Sequence, residues 1–357
     1  MMRAIILAAA MLAVASSAMA APRPTPKRSA PKPAIVKTFK DWSVACDNGY
    51  RCEATSHSDD YDNAATVFIS RKAGNGGELK LRIRLRDDTI DRASLYLNRR
   101  KIYEGQVSAI KNSLAIDGRS SIGLIRAMAR GATLNARSKD GTLIGKVSLA
   151  GASAALRYMD DKQYRVGSKS AFVARGPAIR IPRVPAPPNV KAVLGNEVRG
   201  LPKAEELEAL VNRSLCREEM DGAVDANVSS LGSHHGKDQL LILIECGRGA
   251  YNMSSVAYLA DRQTDRVSKA WRFRPMPFDY LPSGISKNRP MLINAGFDES
   301  DLTLSTASKG RGLGDCGSSE SYVWNGTKFR LYEATLLDTC RGSTDWLTIW
   351  RANIVYE

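Results

Sequence analysis

Four cations alternate with four aliphatic residues in Leu79-Lys80-Leu81-Arg82-Ile83-Arg84-Leu85-Arg86. In a strand, successive side chains point to opposite faces, so Lys80, Arg82, Arg84 and Arg86 form one row with spacings of roughly 6–7 Å. Guanidinium forks match phosphate and carboxylate oxygens. The chemistry of such a row is anion binding, and Arg99-Arg100-Lys101 extends the expected patch. Like charges this close repel each other, so either a bound polyanion or an acidic neighbour must offset them. Asp87, Asp88 and Asp91 are the acids nearest in sequence.

Catalysis finds less support. The chain has three histidines, His57, His234 and His235, and the last two are adjacent in a Gly/Ser-rich turn. It contains no G-x-S-x-G elbow, no H-E-x-x-H and no phosphate-binding glycine loop. Ser108-Ala109-Ile110-Lys111 fits S-x-x-K but lacks that motif's companions. The acidic runs Asp59-Asp60-Tyr61-Asp62-Asn63 and Asp298-Glu299-Ser300-Asp301 lack the glycine and distal Glu of a calcium loop. The residues therefore assign no catalytic group, no metal site and no cofactor. The alternative is a hydrolase using acids such as Asp160 and Asp161, which requires facing carboxylates in a pocket. A third reading is inhibition of a secreted enzyme.

The six cysteines are Cys46, Cys52, Cys216, Cys246, Cys316 and Cys340. No C-x-x-C redox pair is present, and the spacing Cys46-x5-Cys52 has no second pair beside it to complete a zinc site. Structural disulfides are expected. Six cysteines permit 15 pairings, and chain order favours Cys46–Cys52, Cys216–Cys246 and Cys316–Cys340.

The first twenty residues place this chemistry in a compartment. Arg3, an apolar run from Ala4 to Ala15 and the ending Ala18-Met19-Ala20 form a secretory signal, with cleavage expected near Ala20. The apolar run is too short to span a bilayer, which takes about 20 residues, and no later stretch is longer. The export signal predicts a periplasmic or secreted protein with no transmembrane segment, in an environment where disulfides persist. The formal net charge is +15, of which residues 35–190 carry +12, whereas residues 191–357 carry −2. Outside the cytosol, nucleic acid is excluded as the partner of this basic half. The expected partner is an anionic envelope polymer or a protein, and the oligomeric state is left open.

The elements that must position the row divide into two parts. A basic, Pro-rich tether covers 21–34, a basic β-rich domain 35–175, a Pro-rich linker 176–202 and a second β-rich domain 203–357. In the first domain, helical spacing appears over Ser121–Met128 and Ser153–Gln163, and Asp140-Gly141 marks a hairpin. The second domain opens with a helix after Pro202, with Leu207, Leu210, Val211 and Leu215 on one stripe. Asp238–Glu245 reads as a buried strand, Asn325-Gly326 as a tight hairpin and Trp346–Ile354 as a final strand. The predicted class is mainly β (α+β), with two disulfide-stapled domains, each carrying one or two helices.

Several segments resemble the bacterial family called domain of unknown function 1176. They are Phe39-Lys40-Asp41-Trp42-Ser43-Val44-Ala45-Cys46-Asp47, Ser153 to Asp161, Cys246 to Asn252, Gly314-Asp315-Cys316-Gly317 and Asp345 to Ala352. The resemblance implies an exported bacterial protein of unassigned activity. The D-W-x-V-x-C-D opening and the stretch Ile122 to Leu156 also resemble the invasion-associated locus B family, which implies a small secreted β-rich module for the first domain alone. The combined expectation is a non-enzymatic envelope protein whose basic domain contacts an anionic partner.

Overall fold

The computed structural model describes residues 30–59, 64–108, 112–179, 184–214, 216, 224–264, 270–281 and 290–357. The expected signal at 1–20, most of the tether, and Leu215 lie outside these residues.

Period-two patterning builds the N-terminal half from ten strands: β1 (Lys37–Phe39), β2 (Trp42–Cys46), β3 (Cys52–Ser56), β4 (Ala65–Arg71), β5 (Leu79–Leu85), β6 (Arg92–Leu97), β7 (Arg100–Gln106), β8 (Ser113–Ile116), β9 (Thr133–Arg137) and β10 (Leu143–Ser148). Helix α1 (Gly118–Met128) precedes β9 and α2 (Ala152–Lys162) follows β10. The first sheet is antiparallel in the order β1-β2-β3-β4-β5-β8, and the second runs β10-β9-β6-β7. Between them, Trp42, Val67, Ile69, Leu81 and Ile83 pack with Leu95, Leu134, Val147, Ile125 and Leu156 in one core. The apolar half of each alternation is thereby removed from water, the main favourable contribution to folding. Strand β10 approaches the first sheet closely, because a Cβ on Gly145 would sit 2.8 Å from Ala65 Cβ and 3.0 Å from Leu85 Cδ2. Gly151 caps the start of α2; its φ is +96° and its missing side chain leaves room for the carbonyl oxygen of Phe39.

Within the Pro-rich stretch 176–202 the chain forms a strand, β11 (Asn189–Ala192), and α3 (Ala204–Ser214) follows it. The C-terminal half then adds β12 (Ala226–His234), β13 (Lys237–Arg248), β14 (Met253–Gln263), β15 (Arg272–Pro275), β16 (Met291–Ile293), β17 (Gly296–Asp298), β18 (Thr303–Lys309), β19 (Gly317–Trp324), β20 (Phe329–Leu337), β21 (Leu347–Arg351) and β22 (Asn353–Tyr356). One sheet runs β12-β13-β14-β15 with β16 also on β14, and another runs β17-β18-β19-β20-β21. The expected final strand is split in two. Strand β21 pairs antiparallel with β20, whereas β22 turns away to pair in parallel with β11. Trp324, Tyr322 and Phe329 are fully buried in the core of this half.

The protein is mainly β, with three helices among the described residues. The cysteines pair as Cys46–Cys52, Cys216–Cys246 and Cys316–Cys340. The contacts gather Pro31–Glu357 into one unit, and the halves share a core. Val36 and Ala45 are buried together with Leu304, Leu331, Leu347 and Ile349, and Phe68 packs against them. Every residue of β2 and β3 is buried, so both faces of the first sheet are covered there.

Candidate anion-binding site

Strand β5 places the cationic row on the face opposite the first core. Its register sets Ser70 beside Lys80, Phe68 beside Arg82 and Thr66 beside Arg84. Lys80 is exposed and pairs with Glu78 at 3.1 Å. The Arg82 guanidinium lies 4.9 Å from the centre of the Phe68 ring, a cation–π contact. Both Arg82 and Arg84 donate through Nη2 to Oδ1 of Asp345, the Arg84 bond measuring 3.2 Å. The offsetting acid is therefore not Asp87, Asp88 or Asp91. Asp87 accepts the backbone N–H and hydroxyl of Thr89 in its own turn. Asp345 lies 263 positions from Arg82 and arrives because the C-terminal half covers the cationic face.

The second basic group lies elsewhere. Arg99 and Arg100 are exposed in the β6–β7 hairpin, and Lys101 shares Glu104 with Arg92. That hairpin belongs to the second sheet, which packs on the opposite, apolar face of the first. Arg99, Arg100 and Lys101 therefore do not extend the row. Arg100 and Lys101 line a separate groove of about 710 Å³ against α1.

At the end of the row the halves line a half-open pocket of about 270 Å³. Ala64, Thr66, Arg84, Leu85 and Arg86 form one wall, and Leu313, Asp315, Gly342 and Thr344 form the other. Arg86 is exposed and forms no ion pair among the described residues. Asp315 contributes little free charge. Arg311 Nε donates to its Oδ1 at 2.7 Å and the Gly342 N–H to its Oδ2 at 2.7 Å, and the Arg311 bond holds its carboxyl below the usual range. Cys316–Cys340 ties this second wall together, and Arg311 Nη2 also donates to the Cys340 carbonyl at 3.1 Å. Gly342, with φ +80°, passes so near the first half that a Cβ would lie 2.9 Å from the Ser58 carbonyl oxygen.

A polar seam continues from the pocket along the junction. Arg341 donates to Asp41 Oδ1 at 2.8 Å and to Asp59 Oδ2 at 2.6 Å. Thr55 and Ser343 hydroxyls are hydrogen-bonded at 2.7 Å, and buried Glu53 accepts the Thr348 N–H at 2.9 Å. Asn48 exchanges two 2.8 Å bonds with the Arg351 backbone. Arg341 holds the Asp59 carboxyl below its ordinary range. Asp41 is lowered too, first by a hydrogen bond from Ser148 and then by Arg341. The sequence reading missed these partners. Their signal was the short polar run Arg341-Gly342-Ser343-Thr344-Asp345 between a cysteine and a tryptophan, which carries no motif of its own.

His57 sits in the same seam. Its Nε2 and Ser43 Oγ are hydrogen-bonded at 2.8 Å, the geometry of a nucleophile with its base. Ser43 is 0% and His57 1% exposed, so no substrate reaches them. Burial, reinforced by the Arg341 charge, pushes the His57 pKa down to about 4, against the opposing pull of Asp41, Asp338 and Asp59. The folded imidazole is neutral at pH 7, whereas the unfolded one titrates near pH 6.5. Below that pH the unfolded chain takes up a proton that the folded chain rejects. Stability from this group is therefore constant above about pH 6.5 and falls toward pH 4, by up to ~3 kcal/mol. Urea midpoints between pH 7 and 4 are expected to fall less steeply for His57→Gln than for the parent. Equal slopes would exclude His57 as the source.

The acids expected of a hydrolase do not face each other. Asp160 is fully buried, and its carboxylate accepts the N–H groups of Phe172 at 2.8 Å, Val173 at 2.8 Å and Ala174 at 3.4 Å. This carboxylate anchors the chain after α2, while its neighbour Asp161 is exposed.

Fold and site together define a disulfide-bonded, mainly β protein with a basic pocket where its halves meet. The chain belongs to the family described as Protein of unknown function (DUF1176), which it matches over residues 36–353. It is similar to Uncharacterized protein YpfG of Escherichia coli (strain K12), with 30% identity over 337 residues, 88% of this chain and 92% of that one. Among solved structures, invasion associated protein b from Bartonella henselae is similar over 36% of this chain and 99% of that chain, with 14% identity and a TM-score of 0.28. No helix among the described residues is long and apolar enough to cross a membrane.

Proposed function

We propose that this protein is exported to the periplasm or beyond and acts there, without catalysis, by binding an anionic group of the cell envelope. The observation that carries this reading is the pocket at the end of the row, where Arg84 and Arg86 share a wall and Arg86 has no ion pair among the described residues. Three disulfides suit an oxidising compartment. The separate first core supports treating 35–175 as one domain docked on a second, 203–357. Within the cationic row, Lys80 makes a surface pair with Glu78, Arg82 and Arg84 are tied to Asp345, and Arg84 and Arg86 face the pocket that receives the ligand.

Vesicles containing lipopolysaccharide test the reading against neutral phosphatidylcholine vesicles. The protein is expected to sediment with the anionic vesicles alone and to release as salt rises, because such attraction is screened. Arg86→Glu breaks no ion pair among the described residues, so it keeps the fold, and it is expected to weaken this binding about tenfold. Undiminished binding by Arg86→Glu would refute the assignment.

A further inference from the structure

We propose that the pocket is a receptor for one terminal phosphomonoester, and not a track for a stretch of polyanion; this rests on the anion-binding reading above. Three features point there. The first is size. A pocket of about 270 Å³ lies at the small end of the 300–1,000 Å³ usual for small-molecule sites, which suits a compact end group. The second is charge. Arg82, just behind the pocket, and Arg84, in its wall, share the carboxylate of Asp345, Arg86 in the same wall has no ion pair among the described residues, and Arg311 neutralises Asp315. Among the described residues of this group, three arginines against one carboxylate leave two positive charges in excess, which matches a phosphomonoester, with about −1.5 to −2 near neutral pH, better than a carboxylate or a phosphodiester with −1.

The third feature is what surrounds the charge. Thr66 and Thr344 line the pocket beside the arginines, and hydroxyls can donate to phosphate oxygens. Outside it the sign reverses, because Arg341 is held between two acids, Asp41 and Asp59, and Asp59 is 69% exposed. A long polyanion lying across the junction would meet that acidic pair, whereas a single end group entering the pocket would not. Leu313, 62% exposed at the second wall, offers apolar surface to whatever body carries the phosphate.

Calorimetric titration of the purified protein with glucose 1-phosphate, inorganic phosphate, dimethyl phosphate and glucuronate tests this. Glucose 1-phosphate is expected to bind at least tenfold tighter than dimethyl phosphate or glucuronate. Its affinity is expected to fall as pH drops through about 6, where the ligand loses its second charge. Thr66→Val is expected to weaken it about tenfold, the value of one hydrogen bond to a charged group, and Arg86→Gln by more. Inorganic phosphate binding as tightly as glucose 1-phosphate would identify free phosphate as the source. Weaker binding of inorganic phosphate would identify a phosphorylated sugar end; both outcomes support the phosphomonoester class. Equal affinity for all four anions, or a preference for glucuronate, overturns the proposal. If vesicle binding persists in that case, the broader anion-binding reading survives. Loss of vesicle binding as well ends both.

Discussion

Replacing Asp345 by alanine is expected to destabilise the protein by about 3 kcal/mol while making the pocket bind anions more tightly. The two effects have one cause. Asp345 is 7% exposed, and its Oδ1 accepts hydrogen bonds from both Arg82 and Arg84. Removing one partner of a buried ion pair leaves an uncompensated charge, at a cost of roughly 3–5 kcal/mol. The Arg82 and Arg84 side chains keep 27% and 38% of their exposure, so water relieves part of that penalty and the lower end of the range applies. The same substitution leaves Arg82, Arg84 and Arg86 with no carboxylate among the described residues, which strengthens attraction for a bound anion. Urea denaturation and anion titration on one preparation check the pair of effects. Unchanged stability would show that the halves are not held at Asp345. Weaker binding would show that Asp345 serves the ligand directly.

The second large effect concerns the opposite wall. Changing Cys316 and Cys340 together to serine opens a loop with a sequence separation of 24, which on the loop-entropy account costs about 3 kcal/mol. More is at stake here than chain entropy. Leu313, Asp315, Gly342 and Thr344 flank this bridge, and Arg341 and Asp345 follow it into the seam. Affinity for anions is therefore expected to fall together with the urea midpoint. Cys46 and Cys52 supply the control, since their bridge spans a separation of only 6, worth about 2 kcal/mol, within the β2–β3 hairpin and away from the pocket. Serine replacement there is expected to lower stability and leave binding intact. Equal losses of binding from both double variants would mean that the pocket depends on global stability and not on the Cys316–Cys340 wall.

Much of the local architecture was legible in the residues. The alternation that starts at Leu79 is strand β5, which ends at Leu85, one residue before Arg86, because only one phase of a period-two pattern buries its aliphatic half. Asp140-Gly141 and Asn325-Gly326 lie between paired strands, β9–β10 and β19–β20, because those dipeptides tolerate the positive φ that tight hairpins need. The three helices fall where apolar residues recur at helical spacing. The end of the chain was less legible. Trp346–Ile354 reads as one run of strand-forming residues, and nothing local marks the point at which it leaves β20 and joins β11.

The candidate site divides along the same line. From sequence, the row of Lys80, Arg82, Arg84 and Arg86 and its shared face follow from strand geometry alone, whereas the local pairings of the cysteines were favoured only by chain order among the 15 possible. Charge neutralisation is different, because it depends on distance in space and not along the chain. Asp87, Asp88 and Asp91 are near Arg86 in sequence yet leave the row to Asp345, and Arg99, Arg100 and Lys101 fall on the far side of the shared core. Buried polar groups need partners wherever the chain can supply them. For Arg82, Glu53 and Thr55 those partners come from 341–348, brought against the first sheet by the packing of one half on the other. That docking closes the middle of the row and leaves Arg84 and Arg86 at a pocket. A row of cations was written in the chain, and a basic pocket formed only where the fold left part of it uncovered.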